Sequence, residues 1–431
     1  MLTRPSPWER RNGLTLKSFF SSNDLWIVNS HEQSLRVLAL LAIVLALVLV
    51  MVICHLGVNS TLACGFAGAV FLHLGTRANQ SQIGSAMVLG VGYGLLYKLL
   101  GAPFGGDPIS TITSIGAFAG LGSITILAYQ ALWFKSEPEV HAFEDAWVLP
   151  LFLAAASIAA SLTQNFWPKT FDLSLYAFDC SLGVSPAPMV IGWWKAAPLL
   201  ATVSTWTYAL LLMFPPLYRA WAVHSGIGRE PSVLRSFVIA GLLGFFLQQC
   251  CPATGPLHLF PQDFPDHLPS LSELSIGMTA VAGPRNAIPS MQATWALLVW
   301  WSAWRLNWWA RIVATLFLVL TLLSALGSGD HYVVDLVVAV PFTLGVEGLC
   351  RRRGYAAAGL GFGLTLGWFI LLRSGFRLPA PEIGWLLVAA TILTCIVFQI
   401  PLYRGQHTAE GQALSSRLSA MTGARLASRT R

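Results

Sequence analysis

Charge is what this chain has least of. Only 10% of its 431 residues are Asp, Glu, Lys or Arg, against about a quarter in an ordinary soluble domain. A soluble fold of this length exposes a large surface and needs charge to cover it. The shortage therefore excludes a cytosolic enzyme, a disordered chain and a fibrous repeat. Paired cysteine motifs are also missing. Seven Cys are scattered singly apart from Cys250-Cys251, with no CxxC and no Cys/His metal spacing, so they are expected to be small apolar packing residues. The net charge of +7 comes without a basic patch of interleaved aromatics outside the apolar runs, which excludes nucleic acid as the partner. No internal repeat is visible, which weighs against an inverted-repeat transporter. The first apolar run begins near Arg36, too far in for a cleavable signal peptide.

What is present is apolar: 55% of residues are hydrophobic, with 17 Trp and 24 Phe, and the mean hydropathy is +0.64. A span needs roughly 20 mostly apolar residues. Apolar runs lie near 37–55, 60–74, 84–100, 112–134, 146–163, 197–218, 233–252, 289–304, 312–328, 331–350, 356–372 and 383–402. They predict an all-α polytopic membrane protein with about twelve transmembrane helices, both termini on one side. Basic residues mark the cytoplasmic side: the arm 1–35, the tail 403–431, and the connections carrying Arg219, Arg229 and Arg235, then Arg305 and Arg311, then Arg351, Arg352 and Arg353. The acidic segment Lys135–Asp145 is the one that runs against this pattern. The outer side receives 101–111, 164–196, 253–288 and 329–330. Within 164–196 the half-apolar run 173–183 predicts an interfacial or re-entrant helix, and 253–288 predicts a long ordered loop. The tail is predicted to be disordered.

Ionisable groups near membrane spans mark function, and two clusters qualify. In Gly327–Asp335, His331 and Asp335 are four apart and on a helix share a face. Asp335 then fixes the imidazole tautomer and raises the basicity of the other nitrogen, making a nucleophile or base. Asp330 stands where an N-cap would. In Gly283–Thr294, Pro289 suits a first helical turn, and the N–H groups around Ser290, Met291 and Gln292 form an anion-binding helix start. Arg285 upstream offers a guanidinium fork for an oxyanion. Both clusters open spans joined by the hairpin 305–311, so they return to one membrane depth. A nucleophile beside an anion cradle suits phosphoryl transfer.

At these residues the chain resembles the type 2 phosphatidic acid phosphatase (PAP2) superfamily, and within it the inositol phosphorylceramide synthase-like branch of inositolphosphotransferases. Pro289-Ser290-Met291-Gln292 matches a Pro-Ser-x-His motif at three of four places, and His331-Tyr-Val-Val-Asp335 matches His-x-x-x-Asp fully. Pro252–Pro256 is similar to a Pro-x-x-Gly-Pro segment, and Phe178–Gly183 followed by Pro186 to an interfacial one. The resemblance covers about 146–350 and implies a six-helix catalytic bundle. It leaves 36–135 and 356–402 as membrane helices without an assigned role. It implies His331 as the nucleophile that forms a phosphohistidine, Asp335 as its orienting carboxylate, and phosphate binding at Ser290. It implies no metal or organic cofactor and a lipid substrate: a phospholipid, sphingolipid or polyprenyl phosphate.

Three departures stand beside it. Gln292 replaces the family's general-acid His, Ala325 stands where phosphatase members carry an Arg, and no early Lys and Arg-Pro motif is present. Gln donates hydrogen bonds but no proton at neutral pH, so His258 and His267 in the outer loop are the candidates to stand in. The expected protein is a multi-pass bacterial inner-membrane phosphotransferase or phosphatase with an extracytoplasmic site. The alternatives are a lapsed relative that only binds a lipid phosphate, and a lipid transporter or flippase.

Overall fold

The computed structural model describes residues 60–101, 107–133, 137–183, 186–225, 233–351, 354–375, 378–400 and 402. The span expected at 37–55, the arm and the tail lie outside these residues. Among those described the chain is all-α apart from one short strand pair. Helices α1 (Ser60–Gly75), α2 (Gln80–Leu99), α3 (Pro108–Trp133) and α4 (Glu137–Phe166) come first. After β1 (Lys169–Thr170) follow α5 (Asp172–Ser181), α6 (Pro186–Ala196), α7 (Pro198–Ala209), α8 (Phe214–His224), α9 (Val233–Cys250) and the short α10 (Pro256–Leu259). β2 (Thr279–Ala280) pairs antiparallel with β1. Then come α11 (Met291–Ala303), α12 (Trp308–Gly327), α13 (Val333–Leu349), α14 (Tyr355–Arg373) and α15 (Pro381–Ile400).

This is a multi-pass membrane protein, but the expected count of about twelve spans is corrected. Among the described residues, six helices are long and apolar enough to cross a membrane, or seven if α7 and α8, bent by 55° at their junction, count as one span. The missing spans have physical reasons. α1 has only 16 residues. α2 spends its first turn on a polar capping box, Gln82 N donating to Asn79 Oδ1 at 2.9 Å and Asn79 N to Gln82 Oε1 at 2.8 Å. α11 and α13 run only 13 and 17 residues, because the chain before each is used for polar loop structure at the candidate site. The long helices expose apolar side chains such as Leu199, Phe246 and Ile370. Such faces are stable only against hydrocarbon.

The acidic segment that ran against the charge pattern is largely helical. Asp145 lies inside α4 and accepts from Arg219 Nε at 3.0 Å, both side chains being nearly buried. A shielded ion pair of this kind removes the conflict, because the acid is there to neutralise the base. In the first helices, close packing depends on glycine: a Cβ at Gly120 would fall 1.8 Å from the Phe66 carbonyl oxygen of α1.

Two large apolar cores result, beside a small one around Trp301 and Leu344. One joins α1, α3, α4, α9, α11 and α12, with Phe66, Leu149, Phe237, Leu298 and Phe317 buried in it. The other lies under the 253–288 loop, joining α5 to α13, α14 and α15 through Leu175, Phe178, Val338 and Trp368. Phe178 meets Trp368 edge-on at 5.3 Å. The run 173–183, expected as an interfacial or re-entrant helix, forms most of α5, which is roofed by the 253–288 loop: Tyr176 Oη donates to the Pro269 carbonyl at 2.7 Å.

Candidate active site

The ends of α11 and α13 meet where the two cores join. Ser290 is the N-cap of α11, its Oγ accepting from Ala293 N at 3.2 Å. Pro289 therefore precedes the helix rather than opening it. Gln248, at the end of α9, holds this approach by donating to the carbonyls of Asn286 and Pro289 at 3.0 and 3.3 Å. The amides of Met291 and Gln292 have no intrahelical acceptor, as at any helix start, and the helix dipole favours an anion there. The Met291 side chain itself is buried against Gly244, so only its backbone is offered to a ligand.

His331 is 2% exposed and lies just before α13. Its Nδ1 is 3.0 Å from the Ala287 carbonyl and 3.4 Å from Asp335 Oδ2. Both are acceptors, so Nδ1 carries the proton and Nε2 the lone pair. Nε2 lies 3.2 Å from Ser290 Oγ, which can donate to it, and 3.0 Å from Gln292 Oε1; with the lone pair on Nε2, the Gln292 amide must be turned so that its NH₂ faces the ring. The arrangement differs from a shared helical face. α13 starts at Val333 with Tyr332 as its N-cap, and Asp335 reaches back to accept from Tyr332 N at 2.8 Å. One carboxylate oxygen thus caps the helix and faces the imidazole, and a carbonyl shares the orienting task. Asp330 is not the N-cap either. Its Oδ2 accepts from Ser328 Oγ at 2.8 Å and from Tyr208 Oη at 3.2 Å.

The oxyanion clamp expected of Arg285 is not formed. Its guanidinium is committed to carbonyls: Nε to Trp167, one terminal nitrogen to Gly283, and the other to Val281 and Pro168, at 2.6–3.4 Å. With 2% exposure it is a staple joining the end of α4 to the strand loop, and four of its five N–H groups go to these carbonyls. The two loop histidines stay outside the cluster as well. His267 is exposed and the His258 ring packs on Gly283. Neither shares a hydrogen bond with the His331 cluster among the described residues.

The site is held from beneath by two acids, Asp172, which no motif pointed to, and Asp179, which lies within the Phe178–Gly183 segment. Asp172, fully buried at the start of α5, accepts from Thr254 N, Thr254 Oγ1, Gly255 N and Tyr332 Oη, all within 2.9–3.1 Å. Gly255 has φ 107°, open to glycine alone, and a Cβ there would strike the Asp330 carbonyl at 2.3 Å. Two turns along the same helix, Asp179 accepts from Val333 N at 2.7 Å and Val334 N at 3.1 Å, capping α13. An i, i+7 pair of acids in a half-apolar segment is the signal that finds them, since apolar helices carry carboxylates on one face only where donors wait.

Burial pushes the Asp179 carboxyl up to about 8 from 3.8, although the two amides pull it down. Between those values the folded chain keeps a proton that the unfolded chain has lost. Stability therefore falls as the pH rises from roughly 4 to roughly 8. An Asp179→Asn chain keeps an acceptor without the ionisation. Its unfolding midpoint in detergent is expected to change less across that window than the parent's; equal slopes would contradict this.

Residues 173–349 match the family model of the PAP2 superfamily, so a PAP2 superfamily domain occupies this part of the chain. That domain implies a lipid-phosphate phosphatase or phosphotransferase type of activity in general. The search of curated proteins and the search of solved structures give no match.

Proposed function

We propose that this protein transfers the phosphate-bearing head group of a membrane lipid through a phosphohistidine on His331. The observation that carries the proposal is the buried Nε2 of His331 facing the N-terminus of α11, with Nδ1 turned to the Ala287 carbonyl. The nitrogen attacks phosphorus, and the amides of Met291 and Gln292 with the dipole behind them take up negative charge on its oxygens. Ala287 and Asp335 hold the Nδ1 proton as the ring becomes cationic.

A cavity of about 560 Å³ supports a lipid as the carrier of that phosphate. It runs between α4 and α9, lined by Phe152, Ala156, Leu242, Phe245 and Trp295, and reaches Gln292 and Tyr208 at its polar end. A hydrocarbon chain suits such a lining, which leaves the phosphate at the end where Gln292 lies. The extracytoplasmic placement is part of the proposal. Arg305 and Arg311 lie at the far end of α11 and α12 from His331, and Arg351 just past the far end of α13, as the positive-inside rule requires. Among acceptors we favour an alcohol over water, in line with the resemblance to the inositolphosphotransferase branch.

A binding-only protein is the second reading, favoured by Gln292 alone. Comparing all lipids in cells with and without the chain tests the first. One class of lipid phosphate is expected to accumulate on removal while a dephosphorylated or head-group-exchanged partner falls. An unchanged lipid phosphate profile contradicts enzymatic transfer.

A further inference from the structure

The cavity beside the site has a floor, a polar end and an open side. α4 and α9 touch at the floor, where the Phe152 ring lies so close over Gly241 that a Cβ there would fall 2.1 Å from its Cζ. Phe152 meets Phe237 edge-on at 5.7 Å, and Phe237 stacks on Trp295 at 4.6 Å. The Trp295 indole N–H donates to the Phe237 carbonyl at 3.4 Å and holds the third ring in place. Three aromatic rings thus close the end away from His331. Further along, α4 turns only small side chains to the cavity, Ala155, Ala156, Ser157, Ala159 and Ala160, which leave room in front of α9. Tyr208, next to the point where the α7–α8 pair bends by 55°, adds a hydroxyl at the polar end. Ala155, Leu242 and Phe246 line the cavity and are also exposed. The wall is therefore broken between α4 and α9, on a face that meets hydrocarbon.

Size decides how much lipid fits. An apolar cavity of about 150 Å³ takes one benzene, so about 560 Å³ has room for on the order of twenty carbons. That is one long chain, and less than both tails of a two-tailed membrane lipid. Resting on the lipid-phosphate reading above, we propose that the cavity seats a single hydrocarbon chain of the substrate, admitted sideways between α4 and α9, and that any second tail stays in the bilayer outside Leu242 and Phe246. The aromatic floor bars entry from the far half of the membrane, so the chain comes from the leaflet on the side of His331. Ala156 and Ala159 determine this specificity, because larger side chains there would occupy the seat. The substrate class is accordingly a lipid phosphate recognised by its head group and one chain, with single-chain and two-chain lipids of the same head group both accepted.

The test uses the full chain in detergent with dodecyl phosphate carrying a diazirine on its chain. On illumination the label is expected on the α4 and α9 peptides that line the cavity, and Ala156→Trp, which fills the seat, should lose most of it. Turnover of n-alkyl phosphates gives a second readout. Each methylene buried from water is worth about fourfold, so displacing only two of them costs more than about tenfold. The ratio of dodecyl to ethyl kcat/KM should therefore fall by more than about tenfold in Ala156→Trp, and likewise in the milder Ala159→Leu. Comparing variant with parent cancels the partition of the ester into detergent. Ile158→Trp, at an exposed position of α4 outside the cavity lining, keeps the parental ratio. A single-chain lipid phosphate and its two-chain counterpart are both turned over. A label that avoids α4 and α9, a ratio unmoved in both alanine variants, or turnover of the two-chain lipid alone overturns the seat. A parent chain that takes the label on α4 and α9 but turns over no ester of any length supports the seat and overturns phosphoryl transfer instead.

Discussion

His331→Ala is expected to cut phosphoryl transfer by at least about 10⁴-fold, the scale on which loss of a nucleophile is felt when the rest of a site survives. The side chain is small and its partners are few, so the fold should persist. The orphaned partners cost about 1–3 kcal/mol, which a circular dichroism or gel-filtration comparison in detergent will tolerate. Asp335 is expected to matter less than an orienting acid usually does. Its oxygen stands 3.4 Å from Nδ1, whereas the Ala287 carbonyl stands at 3.0 Å and keeps the tautomer without it. Asp335→Asn should therefore fall by only about 10–100-fold, short of the roughly 10⁴-fold that follows when a lone carboxylate sets the tautomer. Turnover of a lipid phosphate at saturating concentration decides both. An His331→Ala chain with more than a few per cent of parental activity would remove the nucleophile from the account.

The second large effect falls on stability. Asp172→Ala strips the acceptor from Thr254 N, Gly255 N, Thr254 Oγ1 and Tyr332 Oη together, all at a buried position. Unsatisfied buried donors cost about 1–3 kcal/mol each, so the loss is on the order of 4 kcal/mol or more. At roughly 2–4 °C per kcal/mol for a larger domain, the apparent Tm should drop by about 10 °C or more. The activity should fall with it, because the 254–255 segment and Tyr332 flank His331. A Tm within about 2 °C of the parent would show that water or rearrangement replaces the carboxylate, and the account of α5 as the support of the site would fail.

How far the sequence could be read follows from which interactions are local. The two ends of the site were legible because each is a short motif at a helix start: Ser290 as a cap and His331 beside Asp335 depend on neighbours a few residues away. Their meeting was legible because a hairpin returns α12 to the same depth as the start of α11. The span count was not, since apolar runs such as 289–304 and 331–350 look long enough but lose their first residues to capping and turn structure. Arg285 misled for a related reason. An arginine near a phosphate motif suggests a clamp, but the carbonyls of Trp167 and Pro168 that take its donors lie over a hundred residues away. Asp172 and Tyr208 were invisible on the same ground, one just before the half-apolar run 173–183, the other at a bend that only packing against α12 reveals.

The most direct measurement is to mix the full chain with a lipid or aryl phosphate carrying labelled phosphorus, quench in alkali within one turnover, and map the label. The account predicts an alkali-stable, acid-labile label on the peptide containing His331, absent from His331→Ala. A parent chain that turns over the substrate without any labelled histidine, or that carries the label on another residue, contradicts it.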